Sequence, residues 1–182
     1  MAQQWAELLM EDHSTTEKVF EAVARAIAAP EGPDPELIGK AVDYFVSYAD
    51  QCHNKKEEEH LFPLIEQRGI PRSGGPLAVM LQEHEQSKEL LAAIEPLAAS
   101  YTAGDRSVLP RLNKAIYDYT ELVKQHYWKE NDILYPMAQR VVSQADEAAI
   151  ISGIEAVEAA IGPDTRKKYY DIAAAIVRAG EV

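Results

Sequence analysis

Apolar residues recur three and four positions apart through almost the whole chain, and the alternation expected of strands is nearly absent. The pattern predicts a first helix from about Gln4 to Ala29, stopped by Pro30 and the turn Glu31-Gly32-Pro33. Asp34 followed by Pro35 reads as the N-cap and first turn of a second helix. That helix runs to about Arg68, with a kink or break expected at Pro63. Residues 69–75 form the clearest loop. A third helix is expected from about Pro76 to Thr102, ended by Gly104 and bent at Pro96. A fourth begins between Asp105 and Pro110 and reaches about Val142. Ser143 reads as the cap of a shorter fifth helix ending at Gly162, and a sixth covers about Asp164 to Ala179. Four long helices joined by short loops predict an all-α, up-down-up-down four-helix bundle. Two additional C-terminal helices, in residues 143–182, are expected to pack on that bundle or on a partner.

Composition narrows the function more than the fold. A chain of 182 residues is long enough for one compact domain with a sizeable core. Apolar residues at 47% and charged residues at 26% fit a globular protein. The net charge of −12 repels phosphate backbones and argues against a nucleic-acid partner. No apolar run approaches the roughly 20 residues of a membrane span, and residues 1–7 have no signal-peptide pattern. Cys52 is the single cysteine, so no intrachain disulfide is expected. These features point to a cytoplasmic protein.

The chemistry lies in a duplication. His53-Asn54-Lys55-Lys56-Glu57, running on to Leu61-Phe62-Pro63, is matched by His126-Tyr127-Trp128-Lys129-Glu130, running on to Leu134-Tyr135-Pro136. His, Lys, Glu, Leu and Pro coincide at a constant separation of 73 positions. A second echo, Met10-Glu11-Asp12-His13 with Leu81-Gln82-Glu83-His84, is offset by 71. The first two helices and the next two therefore read as two copies of one hairpin. A His and a Glu four residues apart share a helix face. Apolar neighbours at helical spacing put His13, His53, Glu57, His84, His126 and Glu130 on core-facing stripes. A carboxylate in a bundle core is costly unless it is paired or binds a metal. Four imidazoles and two carboxylates would give each of two metals two terminal histidines, with both glutamates bridging and at least one position left open. The ligand types favour iron, then manganese; zinc is less favoured without a cysteine cluster.

Other residues are ambiguous. His60 lies seven after His53 and is either an extra metal ligand or a hydrogen-bonding support for one. Glu58 and Glu59 are assigned to a solvated helix face. Cys52 reads as a buried structural thiol, Tyr119 as core packing, and Trp5 and Trp128 as packing residues.

The ordered set of His13, His53-x-x-x-Glu57 with Leu61-Phe62-Pro63, Glu83-His84-Glu85, and His126-x-x-x-Glu130 with Leu134-Tyr135-Pro136 resembles the hemerythrin-like, or HHE cation-binding, domain over about residues 5–140. The resemblance implies a bundle (here residues 1–142, with 143–182 as a helical appendage) holding a non-haem di-iron centre. His13, His53, His84 and His126 would be terminal ligands and Glu57 and Glu130 the bridges. Oxygen-carrying hemerythrins have a second histidine one turn along the third helix, where this chain has Met80 and Lys88. That departure counts against oxygen carriage unless His60 restores the fifth nitrogen. Many relatives follow the residue matching His53 with a second histidine; Asn54 stands here. The iron–sulfur-repair relatives add an N-terminal segment with paired cysteines, which this sequence is expected to lack. The expected function is binding or sensing of oxygen, nitric oxide or peroxide at an open iron position. The alternatives are iron storage or handling, and a di-iron enzyme that detoxifies peroxide or nitric oxide.

Overall fold

The computed structural model describes residues 3–180, and within them the chain forms six helices and no strand. They are α1 (Gln4–Ala28), α2 (35–67), α3 (Pro76–Thr102), α4 (106–139), α5 (Gln144–Ile161) and α6 (Thr165–Ala179). The boundaries follow local chemistry. The Asp34 carboxylate accepts the Glu36 amide at 2.8 Å and starts α2 with Pro35 in its first turn. Gly104, at φ 101°, turns the chain after α3 in a conformation that disfavours a side chain. Ser143 and Asp146 form a reciprocal capping box at the start of α5, and Asp146 also takes both arms of the Arg68 guanidinium.

Of the kink or break expected at Pro63, no break occurs, and the helix runs on through the proline. A proline cannot donate to the helix ladder, and its ring crowds the carbonyl four residues back. Both repeats absorb this by widening the turn before the proline. The Phe62 amide bonds the Glu57 carbonyl, and the Tyr135 amide bonds the Glu130 carbonyl, each five residues back. Each π turn opens at an inward-facing glutamate, Glu57 over Glu57–Leu61 and Glu130 over Glu130–Leu134. A longer π segment, Phe45–Asn54, precedes the first of them.

The alternating direction of the helices can be read from the core. Two apolar clusters lie on opposite sides of a polar layer. One contains Val19, Phe20, Leu91, Ile94, Val123 and Tyr127. The other contains Leu9, Leu61, Phe62, Met80, Leu134 and Tyr135. Going along the chain, α1 passes from the second cluster through His13 to the first. Through His53 and Glu57, α2 returns; α3 crosses again at His84, and α4 returns through His126 and Glu130. That is the up-down-up-down order, with every crossing marked by a histidine. The additional helices join the same core. Ile150 and Ile154 of α5 enter one cluster, and Tyr169, Ala173 and Ile176 of α6 enter the other. Both helices pack against α1 and α2.

Where α5 crosses α2, Gly153 lies under the His60 ring so closely that a methyl group at position 153 would overlap it. In an open helix, Gly→Ala stabilises by roughly 1 kcal/mol. Here Gly153→Ala is expected to destabilise by about 1–3 kcal/mol through overpacking. Adding His60→Ala should relieve most of that loss, measured as recovery of the thermal midpoint in the double variant.

Candidate metal centre

The polar layer gathers the histidines in two pairs. The Nε2 atoms of His13 and His53 are 2.9 Å apart, and those of His84 and His126 are 3.1 Å apart. The buried Glu130 carboxylate spans the pairs: Oε2 is 3.2 Å from His13 Nε2 and Oε1 is 3.2 Å from His126 Nε2. The Glu57 carboxylate places Oε2 between them, 3.4 Å from His84 and 3.7 Å from His53. Its other oxygen accepts the Tyr135 hydroxyl at 2.6 Å. Two overlapping groups of donors close enough for one ion each result: Glu57, His84, His126 and Glu130, and His13, His53 and Glu130.

Every imidazole is held from behind through Nδ1. His53 meets Asp12 at 3.2 Å, His126 meets Glu83 at 3.1 Å, His84 meets Glu58 at 2.8 Å, and His13 meets the Asn131 side-chain oxygen at 2.8 Å. These oxygens accept, so each Nδ1 carries the proton and each Nε2 presents a lone pair to the centre. The sequence reading missed these four supports and put Glu58 on a solvated face. The signal was nonetheless in the repeat. Asp12 and Glu83 occupy equivalent positions 71 apart, Glu58 and Asn131 equivalent positions 73 apart. The shared lysine works the same way: Lys56 pairs with Asp12 and Lys129 with Glu83.

The donor set fits a pair of cations. Glu57 Oε2 and both oxygens of Glu130 are buried and have no hydrogen-bond partner. Orphaned charge of this kind is strongly unfavourable in a protein interior. Lone pairs on four imidazoles and three carboxylate oxygens meet there, and only a positive charge removes the repulsion. Two ligand atoms about 2.1 Å from an ion and at right angles to it lie about 3 Å apart, close to the spacing of each histidine pair.

Residues 6–138 match the Hemerythrin HHE cation binding domain family. The chain belongs to this family. It is 35% identical over 106 residues to the Iron-sulfur cluster repair protein YtfE of Edwardsiella ictaluri (strain 93-146), covering 57% of this chain and 48% of that protein. It is 36% identical over 90 residues to the protein of the same name from Escherichia coli O81 (strain ED1a), covering 47% and 40%. A third, from Dickeya chrysanthemi (strain Ech1591), is 32% identical over 90 residues, covering 48% and 41%. The chain thus spans about half the length of the curated relatives it matches. No solved structure matches at the same stringency. Among the described residues, no helix is long and apolar enough to cross a membrane.

Within this hemerythrin-type bundle, His60 is not brought to the centre. It belongs to neither donor group, and its ring lies on Gly153. Periodicity put it on the His53 face because 100° per residue was assumed. In the π turns each residue advances less, so the seventh position falls out of register. Its repeat counterpart, Ile133, is 38% exposed and also lies outside the centre. Trp128, expected to pack, is mostly exposed. Trp5, Tyr119 and Cys52 are buried as expected, and burial pushes the Cys52 thiol up to about 12.

Aromatic rings wall the hemerythrin centre. Tyr127 stacks on His13 at 3.9 Å between centroids, and Phe62 stacks on His84 at 5.6 Å. Tyr135, the counterpart of Phe62, lies over His13 and carries its hydroxyl to 3.5 Å from His13 Nε2. Beside His84 and His126 is a cavity of about 10 Å³, also lined by Asn54, Ser87 and Tyr119. That is room for about one water molecule.

The centre is electrostatically uneven. Burial holds His53 below its ordinary pKa. Burial also opposes charge on His126, but the Glu130 carboxylate outweighs it and raises His126 to about 10. His84 is raised in the same way, against burial, by the Glu57 carboxylate beside its Nε2 and by its hydrogen bond to Glu58. Burial opposes the charge of Glu130 as well, and His126 and His13 hold it well below the usual carboxylate range. Without metal, the His84/His126 pair therefore keeps protons that a cation must displace. Metal uptake should release protons, and apparent affinity should climb as pH rises towards about 10, measured by titration of ferrous ion in weakly buffered solution. Removing one support, Glu58→Ala, should weaken metal binding roughly tenfold to a hundredfold by chelator competition, with Asn131→Ala weaker in effect because its acceptor is neutral.

Proposed function

We propose that this chain is a non-haem di-iron protein that binds or senses a small ligand such as oxygen, nitric oxide or peroxide at an open iron position. The observation that supports it is the donor count. Two imidazoles converge at each metal position with the Glu130 carboxylate common to both, Glu57 joins the His84/His126 group, and a water-sized cavity lies against His84 and His126. Six-coordinate iron would be left with open positions. A pair of irons there would supply Lewis acidity and one-electron redox chemistry to the ligand. The chain's own residues do the rest. His13, His53, His84 and His126 fix the positions, and Glu57 and Glu130 neutralise charge and couple the two. Tyr127 and Phe62 exclude bulk water. The Tyr135 hydroxyl donates to Glu57 and its oxygen lies 3.5 Å from His13 Nε2. The cavity has room for about one water molecule, which suits a small ligand better than a larger organic substrate. The reading extends to a cytoplasmic location, where iron and the single cysteine stay reduced.

A second reading is iron handling. It draws on the name of the relatives, Iron-sulfur cluster repair protein, and takes iron itself as the cargo. The two readings separate on one preparation. The ferrous protein should hold two irons per chain and develop a charge-transfer band on adding oxygen, or a nitrosyl spectrum on adding nitric oxide, reversible on removing the ligand. His126→Ala should abolish the response. Exchangeable iron above two per chain, with no ligand-dependent band, would favour handling.

A further inference from the structure

The two halves of the centre are built alike but finished differently. In each, a lysine of the repeat pairs with the carboxylate that holds a ligand histidine: Lys129 with Glu83 behind His126, and Lys56 with Asp12 behind His53. The Glu83 pair lies at the rim, with Glu83 12% and Lys129 29% exposed. The Asp12 pair is sealed, with Lys56 and Asp12 at 0% and 1%. What seals it is α5 and α6, which lie outside the matched domain of residues 6–138. Glu158 of α5 accepts Lys56 Nζ at 2.7 Å and Arg166 Nε at 3.1 Å. Tyr170 of α6 donates its hydroxyl to Asp12 Oδ1 at 2.8 Å, and Arg166 Nη1 stands 3.6 Å from the same oxygen. Tyr48 of α2 donates a further 2.8 Å bond to it.

We propose that α5 and α6 make the two metal positions unequal, with Glu158, Arg166 and Tyr170 as positioning residues that act on the His13/His53 position through Asp12. The physical reason is competition for one carboxylate. Glu83 is shared between His126 and one lysine. Asp12 is shared among His53, Lys56, two tyrosine hydroxyls and a guanidinium, so less of its charge is left to polarise His53. A metal-bound imidazole backed by a weaker acceptor is a poorer electron donor. The His13/His53 position therefore favours the reduced ion, and the His84/His126 position is oxidised first. This rests on the two-metal reading of the centre, and not on which small ligand is bound.

The test uses the full chain loaded with ⁵⁷Fe, read by Mössbauer spectroscopy and redox titration. The native protein should show two unequal iron environments and two separated one-electron steps. Tyr170→Phe and Arg166→Gln each remove a competitor for Asp12. Each should shift one iron environment only and lower one potential, narrowing the separation. Glu158→Gln frees Lys56 and Arg166 for Asp12 and should widen it. Lys167→Gln, on the exposed side of α6, should change nothing. A merely structural role would lower the melting temperature in these variants without moving either potential. Two irons per chain with equal environments, or potentials unmoved in both Tyr170→Phe and Arg166→Gln, would overturn the inference and leave the di-iron reading standing. A chain that binds no iron would overturn both.

Discussion

Four imidazole lone pairs and three unpartnered carboxylate oxygens meet in one buried layer, and the fold is organised around that repulsion. No rearrangement of protein protons satisfies it, because each Nδ1 proton is already committed to an oxygen behind the ring. A proton on Nε2 relieves part of it, and the raised His84 and His126 show how strongly the site attracts positive charge. Divalent cations relieve all of it. The apolar clusters on either side keep water from doing so.

The supports matter as much as the ligands. A histidine free to rotate would turn its ring and satisfy itself elsewhere. Here each is fixed by an acceptor from a different helix: Asp12 of α1 on His53, Glu58 of α2 on His84, Glu83 of α3 on His126, Asn131 of α4 on His13. The four helices are thereby stitched into a ring by the polar layer itself. The π turns contribute locally. They take up Pro63 and Pro136 and set Glu57 and Glu130 at the mouth of a widened turn, and they carry His60 out of register.

The duplication explains the symmetry of the centre, and the C-terminal helices explain its breaking. The hairpin repeat produced equivalent lysine–carboxylate pairs. Only one of them was covered by later chain, and burial changes what a carboxylate can do for the histidine it holds. Tyr135 breaks the symmetry a second time, placing a hydroxyl where its counterpart Phe62 has none.

Helix number, helix order, the caps at Asp34 and Ser143, and the convergence of His13, His53, Glu57, His84, His126 and Glu130 were legible in the sequence, because each depends on local spacing: 3.6 residues per turn, a cap beside a proline, a repeat at constant offset. The family resemblance rested on those residues. What tertiary structure alone decided were contacts between residues distant in sequence. Glu58 looked solvated because nothing in its own helix shows that His84 arrives beside it. His60 reads equally as a ligand or as a support for one because periodicity cannot anticipate a turn widened by a proline, or Gly153 of another helix packed against the ring. The placement of α5 and α6 on Asp12 depends on bonds from position 12 to positions 166 and 170, which no local pattern encodes.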